Sequence, residues 1–317
     1  MSIASQLQAY QNGLTDAYNM VSQKGGTMPV HKNMSSLASS IGTIPSGGSF
    51  IGIPKEVSST GVYQNPASSY TFSTPSSATE LGVGALQYAF YNNTGLTSVD
   101  LSSVTAINSS AVASYAFYGC TNLTTLDLSS LVSSSGHRTF EYAFYGCTSL
   151  TSVSFQSLKT IGTGVDSLDY TFYGCTGLTS VSFPSLITVS ASPEFMFANC
   201  TNLASVSFPE LKTISASFKN TFDSTAITSI AFPKLSSIKI SAAFNYVFNN
   251  CTSLTTVSFP ALTSSSFGTK TNQFNNMLAG CSNVTVHFPA AIQSTIGSWA
   301  SVTSGFGGTN TTVLYDL

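Results

Sequence analysis

The sequence predicts an α/β repeat solenoid. It is expected to be right-handed, with short strands on one face, short helical or 3-10 turns on the other, and a helical N-terminal segment. Three observations carry that prediction. A near-copy of "YAFYGCTSLTSVSF" recurs along the chain, its Phe falling at Phe90, Phe117, Phe144, Phe172, Phe197, Phe222 and Phe248, with Leu278 in the last unit, at intervals of 25 to 30 residues. Apolar positions inside each copy keep one phase: Leu150, Val153 and Phe155 are answered by Leu178, Val181 and Phe183, then by Leu203, Val206 and Phe208. Pro follows the strand at Pro184, Pro209, Pro233 and Pro260, where its missing N–H ends a ladder and turns the chain outward. A single coil cannot bury its own apolar edge, but stacked coils bury it against each other.

Taken from the N-terminus, Ile3, Leu7, Tyr10, Leu14, Ala17 and Val21 alternate spacings of four and three, a coiled-coil seam stopped by Gly25 and Gly26. A second short helix is expected to carry Met34, Leu37, Ile41 and Ile44, before the linker Pro45–Ser49. Two readings fit: a helical hairpin capping the solenoid, or a docking and oligomerisation segment, with a trimer as the expected assembly. The division is then 1–48 helical segment and linker, 49–84 N-terminal cap, 85–289 solenoid of about eight repeats, and 290–317 C-terminal cap, whose "TTVLYDL" adds a closing strand. Within a coil "LTSVSF" is a strand with alternate residues inward, and the "AF" segment is expected to be a short helix or 3-10 turn.

Composition narrows the partners. Only 7% of residues are charged, against roughly 25% in ordinary globular proteins, so Ser and Thr supply most of the polarity. The net charge is −2 and the ten basic residues are scattered. A phosphate backbone needs a clustered basic face, so no nucleic acid is expected. No apolar run approaches the ~18 residues of a membrane span, so no membrane insertion is expected. The start "MSIASQLQAYQNGLTDAY" has neither a basic nor an apolar leader region, so no secretory signal is expected.

No residue pattern argues for an enzyme, cofactor or metal. Cys120, Cys147, Cys175, Cys200, Cys251 and Cys281 follow the repeat period, with Asn93 and Thr225 in the same column. They read as stacked buried thiols, with bridges between adjacent coils as the alternative. His137 and Glu141 could pair at i, i+4, but a solvated turn is the preferred reading. Two surfaces remain as binding candidates. One is the strand face, where Asp100, Asp127, Ser154, Ser182 and His287 share a column beside another holding Ser152 and Ser180; paired carboxylates one coil apart suit a cation or sugar contact, and a solvated strand face is the plain alternative. The other is the column Tyr91, Tyr118, Tyr145 and Tyr173, whose rings suit sugar stacking or a protein partner. The parallel column Tyr115, Tyr142 and Tyr170 reads as core.

The form "AFYGCTSLTSVSFPSL", repeated from about Ala89 to Pro289, resembles the BspA-like leucine-rich repeat. That resemblance implies a bacterial surface or adhesive protein, hence binding rather than catalysis. "LTDAYNMVSQKGGTMPVHKNMSSLASSIGTI" is similar to short helical segments with a "KGG" turn in tail-associated and prophage proteins of phages of Gram-positive bacteria. Together they imply a recognition module, either a phage tail-associated receptor-binding or virion protein or a cell-surface adhesin. A purely structural virion role is the further alternative. The partners implied are a bacterial cell-surface glycan or protein and, through the N-terminus, other virion proteins, with the protein located on the virion or outside the cell.

Overall fold

The computed structural model describes residues 70–317, apart from 75, 77, 78, 82–84, 108, 109, 111, 163–167, 268–271 and 298–304. The seam from Ile3 to Val21 lies outside the described residues.

The chain winds into a parallel β-solenoid of about eight turns, held by two ladders. The longer ladder runs Tyr70–Ser73, Leu96–Asp100, Thr125–Asp127 and Ser152–Ser154, each strand paired parallel to the next. The pairing is interrupted after Ser152–Ser154 and again after Ser205–Ser207, but the same face goes on with Ser180–Ser182 paired to Ser205–Ser207, and then with Ser229–Ala231, Thr256–Ser258, Thr285–His287 and the closing Thr312–Leu314 paired in turn. Its first strand, Tyr70–Ser73, lies inside the segment read as an N-terminal cap. The alternation is that of a sheet with one wet face: Ser180 and Ser182 are exposed while Val181 is buried.

A second ladder consists of two-residue strands: Ala106–Ile107, Ser133–Ser134, Thr160–Ile161, Thr188–Val189, Thr213–Ile214 and Ser237–Ile238. Its inward side chains, Ile107, Ile161, Val189, Ile214 and Ile238, are at most 3% exposed.

Between the ladders lies one continuous core. The repeat Phe rings stack face to face from coil to coil, Phe117 to Phe144 at 4.9 Å and Phe144 to Phe172 at 5.4 Å between centroids. The strand-end rings form a second stack, Phe155 to Phe183 at 4.8 Å and Phe183 to Phe208 at 5.1 Å. These distances are close to the spacing of hydrogen-bonded strands, which is why one residue type can occupy a whole column.

The helical face expected from "AFYG" is not formed among the described residues. A series of β-turns takes its place, and the reason is steric. An α-helix is about 10 Å across and would require the coils to splay apart on this side, whereas the rings here stack at only 4.7–5.4 Å from coil to coil. Backbone N–H groups in the turns alternate between their own coil and the next. Tyr115, Phe117 and Gly119 donate to Glu141, Ala143 and Tyr145 of the following coil, while Ala116, Tyr118 and Cys120 donate to the residue three back. Left-handed backbone makes this alternation possible: Tyr115, Tyr142 and Tyr170 sit at φ 54–55° and Gly119, Gly146 and Gly174 at φ 67–69°. Large residues seldom adopt that region, so coil-to-coil bonding must hold the tyrosines there.

Candidate functional site

The strand-face residues build a shallow polar groove of about 450 Å³ on the longer ladder, lined by Ser98, Asp100, Thr125, Asp127, Ser152, Ser154 and Gln156. Each outward residue is placed by the inward neighbour that precedes it. Val99, Leu126 and Val153 are buried, so Asp100, Asp127 and Ser154 must project the other way. Asp100 and Asp127 are register partners, as are Asp127 and Ser154.

Each carboxylate is held from behind. Oδ1 of Asp100 accepts the Ser102 N–H at 2.8 Å, and Oδ1 of Asp127 accepts the Ser129 N–H at 2.8 Å. An ionised carboxylate has about four acceptor sites, so both retain capacity toward the groove. Thr125 Oγ1 donates to Ser98 Oγ at 2.9 Å. The groove therefore offers oriented acceptors flanked by hydroxyls, a chemistry suited to the hydroxyl groups of a polyol. Among the described residues, no group of three or more His, Cys, Asp or Glu side chains is arranged to hold a metal ion.

The other strand-face candidates are not all in the groove. Ser180 and Ser182 extend the same face one coil further. His287 sits near the far end of the ladder, where Nδ1 bonds Asp316 at 2.9 and 3.1 Å. That contact clips the C-terminal residues to the last full coil. The Arg138 guanidinium lies 3.8 Å from the Glu141 carboxylate.

Both tyrosine columns are half-buried, and they form one strip. Tyr91, Tyr118, Tyr145 and Tyr173 stack at 4.7–4.8 Å. Tyr88, Tyr115, Tyr142, Tyr170 and Phe195 stack at 4.7–5.0 Å. Adjacent columns touch at 5.7–6.0 Å with their planes tilted by 32–49°. Rings of Tyr118 and Tyr145 thus have both faces covered by their neighbours. The expected sugar stacking needs a free face, and these inner rungs offer only edges and phenol oxygens. At the end of its column, the Tyr173 hydroxyl accepts from Asn199 Nδ2 at 2.5 Å.

The six cysteines are buried free thiols. Each donates to the carbonyl of the repeat Phe one coil back, as Cys147 Sγ does to Phe117 at 3.2 Å and Cys200 to Phe172 at 3.1 Å. In the same column Thr225 Oγ1 donates to Phe222 at 2.9 Å, and Asn93 Oδ1 accepts the Leu96 N–H at 3.1 Å. The column needs a small hydrogen-bonding group, not merely a small residue.

Burial pushes the thiols of Cys200 and Cys281 up to about 12 and that of Cys251 up to about 11. Unfolded thiols ionise near 8.5. Above that pH the unfolded chain has lost protons that the folded chain keeps, so stability must fall as pH rises. The denaturation midpoint is expected to drop progressively between about pH 8.5 and pH 11, and a Cys200→Ala variant to show a shallower decline. A thiol-reactive dye is expected to leave the folded protein unlabelled and to label the denatured one fully.

Comparison with known proteins gives a family. The profile of the BspA type leucine rich repeat region matches in six copies, over residues 56–165 and 168–300. Among solved structures, a leucine-rich repeat protein of T. pallidum is 21% identical, over 77% of this chain and 87% of that one, with a TM-score of 0.37. The pneumococcal vaccine antigen PcpA is 12% identical, over 80% of this chain and 91% of that one, with a TM-score of 0.20. Overlaps this loose carry no argument about the site. No curated protein matches the chain.

Proposed function

The chain belongs to the BspA type leucine-rich repeat family, and on that premise we propose that it is a non-enzymatic adhesion module acting at a cell surface or outside the cell. The groove at Asp100 and Asp127 is its contact for a hydroxyl-rich surface polymer, of which a bacterial cell-surface glycan is the first candidate. One observation carries this reading: the register pairing that sets two carboxylates and a row of hydroxyls side by side on a solvent-facing ladder. Repetition of the wall favours a repetitive ligand, because adjacent rungs present the same groups at one spacing.

The narrower expectation, a tail-associated virion protein, depends on the first 48 residues. They lie outside the described residues, and the family match begins only at residue 56.

Fluorescently labelled protein applied to a panel of intact bacterial cells tests the proposal, with soluble wall polysaccharide as competitor. Labelling that the polysaccharide displaces is the expected result. Asp100→Asn combined with Asp127→Asn should weaken it tenfold or more, since each charge-assisted hydrogen bond contributes about 1.5–3 kcal/mol and tenfold corresponds to about 1.4 kcal/mol. Unchanged binding by that variant removes the groove from the reading. Absence of labelling across the panel removes the adhesion role.

A further inference from the structure

We propose that Tyr246 is the centre of a saccharide site on the turn face, independent of the Asp100 groove. In it one pyranose ring stacks on the phenol, and the amides and carboxylate around that phenol take the sugar hydroxyls. The argument begins with a break in the tyrosine strip. The inner column runs Tyr142, Tyr170 and Phe195, and on the next three coils Asn220, Tyr246 and Asn276. Backbone bonds keep those coils in register: Phe222 donates to the Val247 carbonyl, and Phe248 to that of Met277. Asn220, Tyr246 and Asn276 hold φ at 50–54°, matching Tyr142 and Phe195 at 54°, so their side chains leave the coil in the same direction.

The result is a ring with free faces. An asparagine side chain ends where a tyrosine ring has only begun, its amide oxygen and nitrogen standing in the places of the two Cδ atoms. Asn220 and Asn276 therefore leave the outer part of the Tyr246 ring uncovered on both sides. Among the described residues no aromatic ring contacts it. It is 37% exposed, whereas the stacked tyrosines are half-buried. Rings in the same column lie 4.7–4.8 Å apart where they do stack, so a ligand ring laid on Tyr246 continues the column where the side chains leave off. A pyranose offers an apolar C–H face for that contact.

The surroundings select a sugar over an aromatic side chain. In the adjacent column Asp223 and Asn249 stand where earlier coils have Tyr145 and Tyr173. Asp223 accepts from Ser224 Oγ at 2.8 Å and from Asn249 Nδ2 at 3.0 Å. An ionised carboxylate has about four acceptor sites, so capacity remains for ligand hydroxyls. The Oδ1 atoms of Asn220 and Asn245 are buried without a hydrogen-bond partner. Turning either amide outward therefore sacrifices no bond at that oxygen and ends the cost of leaving it unpaired. A ring with hydroxyls on its rim satisfies all of these groups. An aromatic side chain leaves them bare.

The test uses the full chain and four probes: hexasaccharides of glucose, galactose and N-acetylglucosamine, and the peptide Gly-Tyr-Gly. Saturation-transfer NMR is expected to show at least one hexasaccharide bound through the C–H face of a sugar unit. Tyr246→Ala should weaken that binding about tenfold or more, while Tyr246→Phe, which keeps the ring, should retain most of it. Asp223→Asn should weaken it as well. The Tyr246 ring is exposed and unstacked, so circular dichroism and the thermal midpoint should not change in Tyr246→Ala. Binding of no hexasaccharide, undiminished binding by Tyr246→Ala, or preference for the peptide overturns the proposal. Asp100→Asn with Asp127→Asn reports on the groove separately and should leave the Tyr246 site intact; loss of the ligand in that variant alone assigns it to the groove and overturns the proposal too.

Discussion

Phe144→Ala is expected to lower the unfolding free energy by about 3–5 kcal/mol, the range for deleting a buried aromatic ring. Phe144 has no solvent exposure. Its ring is sandwiched between Phe117 and Phe172 and touches Phe140 at 6.4 Å. In a globular core the surroundings partly collapse into such a hole. Here the preceding coil is held by both ladders, and the following coil by the two-residue ladder and by turn bonds such as Phe144 N–H to the Thr171 carbonyl, so collapse would break hydrogen bonds and the cavity should persist. A repeat array is stable through nearest-neighbour interfaces. Weakening one interface should also split a single unfolding transition into two, separating the coils before Phe144 from those after it. Chemical denaturation followed by far-ultraviolet circular dichroism reads both effects. A loss below about 1 kcal/mol, the size of an ordinary surface substitution, contradicts the stacked spine.

Gly177→Ala is expected to be the other damaging change, by about 3 kcal/mol or more, the upper range for overpacking. A Cβ at Gly177 would lie 2.7 Å from the Thr148 carbonyl oxygen and 2.8 Å from that of Leu150. Both are backbone atoms of the preceding coil and cannot rotate away, so the coils themselves must separate. Gly146→Ala is the control. Gly146 sits at φ +68°, but a Cβ there would meet nothing within 4 Å, leaving only the left-handed backbone penalty of about 1–2 kcal/mol. Thermal unfolding of the two variants side by side should place Gly177→Ala well below Gly146→Ala. Equal midpoints would mean that the coils are not packed as tightly as described.

The longer ladder was legible in the sequence because its signal repeats. Leu, Val and Phe hold one phase over many copies, so the inward set of each strand could be read from any one of them. The same in-phase reading put Asp100 beside Asp127, since residues in one column of a parallel in-register sheet must be neighbours. Where the signal was short or depended on torsion angles, the reading fell short. Pairs such as Thr160–Ile161 and Thr213–Ile214 are too brief to register as strands, although their recurrence after Leu158 and Leu211 was the available clue. "AFYG" reads as helix by composition. The signal against it was the column Gly119, Gly146, Gly174, Asn199 and Asn250, residue types that tolerate the left-handed region. Nothing in the sequence marks Tyr115 or Tyr142 as left-handed, because coil-to-coil bonding imposes that conformation. The loss of free ring faces in the tyrosine strip is likewise a product of stacking, and a list of aromatic positions does not reveal it.

Distances between spin labels along the longer ladder measure the stacking most directly. Cysteines introduced at Ser98 and, in turn, at Ser205, Ser229 and Thr256 occupy one outward column, while the native thiols stay buried and unlabelled. Four, five and six rungs should give separations on the order of 19, 24 and 29 Å before the label's own length, rising by about 4.8 Å per coil. Separations that fail to grow by one equal step per coil would contradict the in-register solenoid.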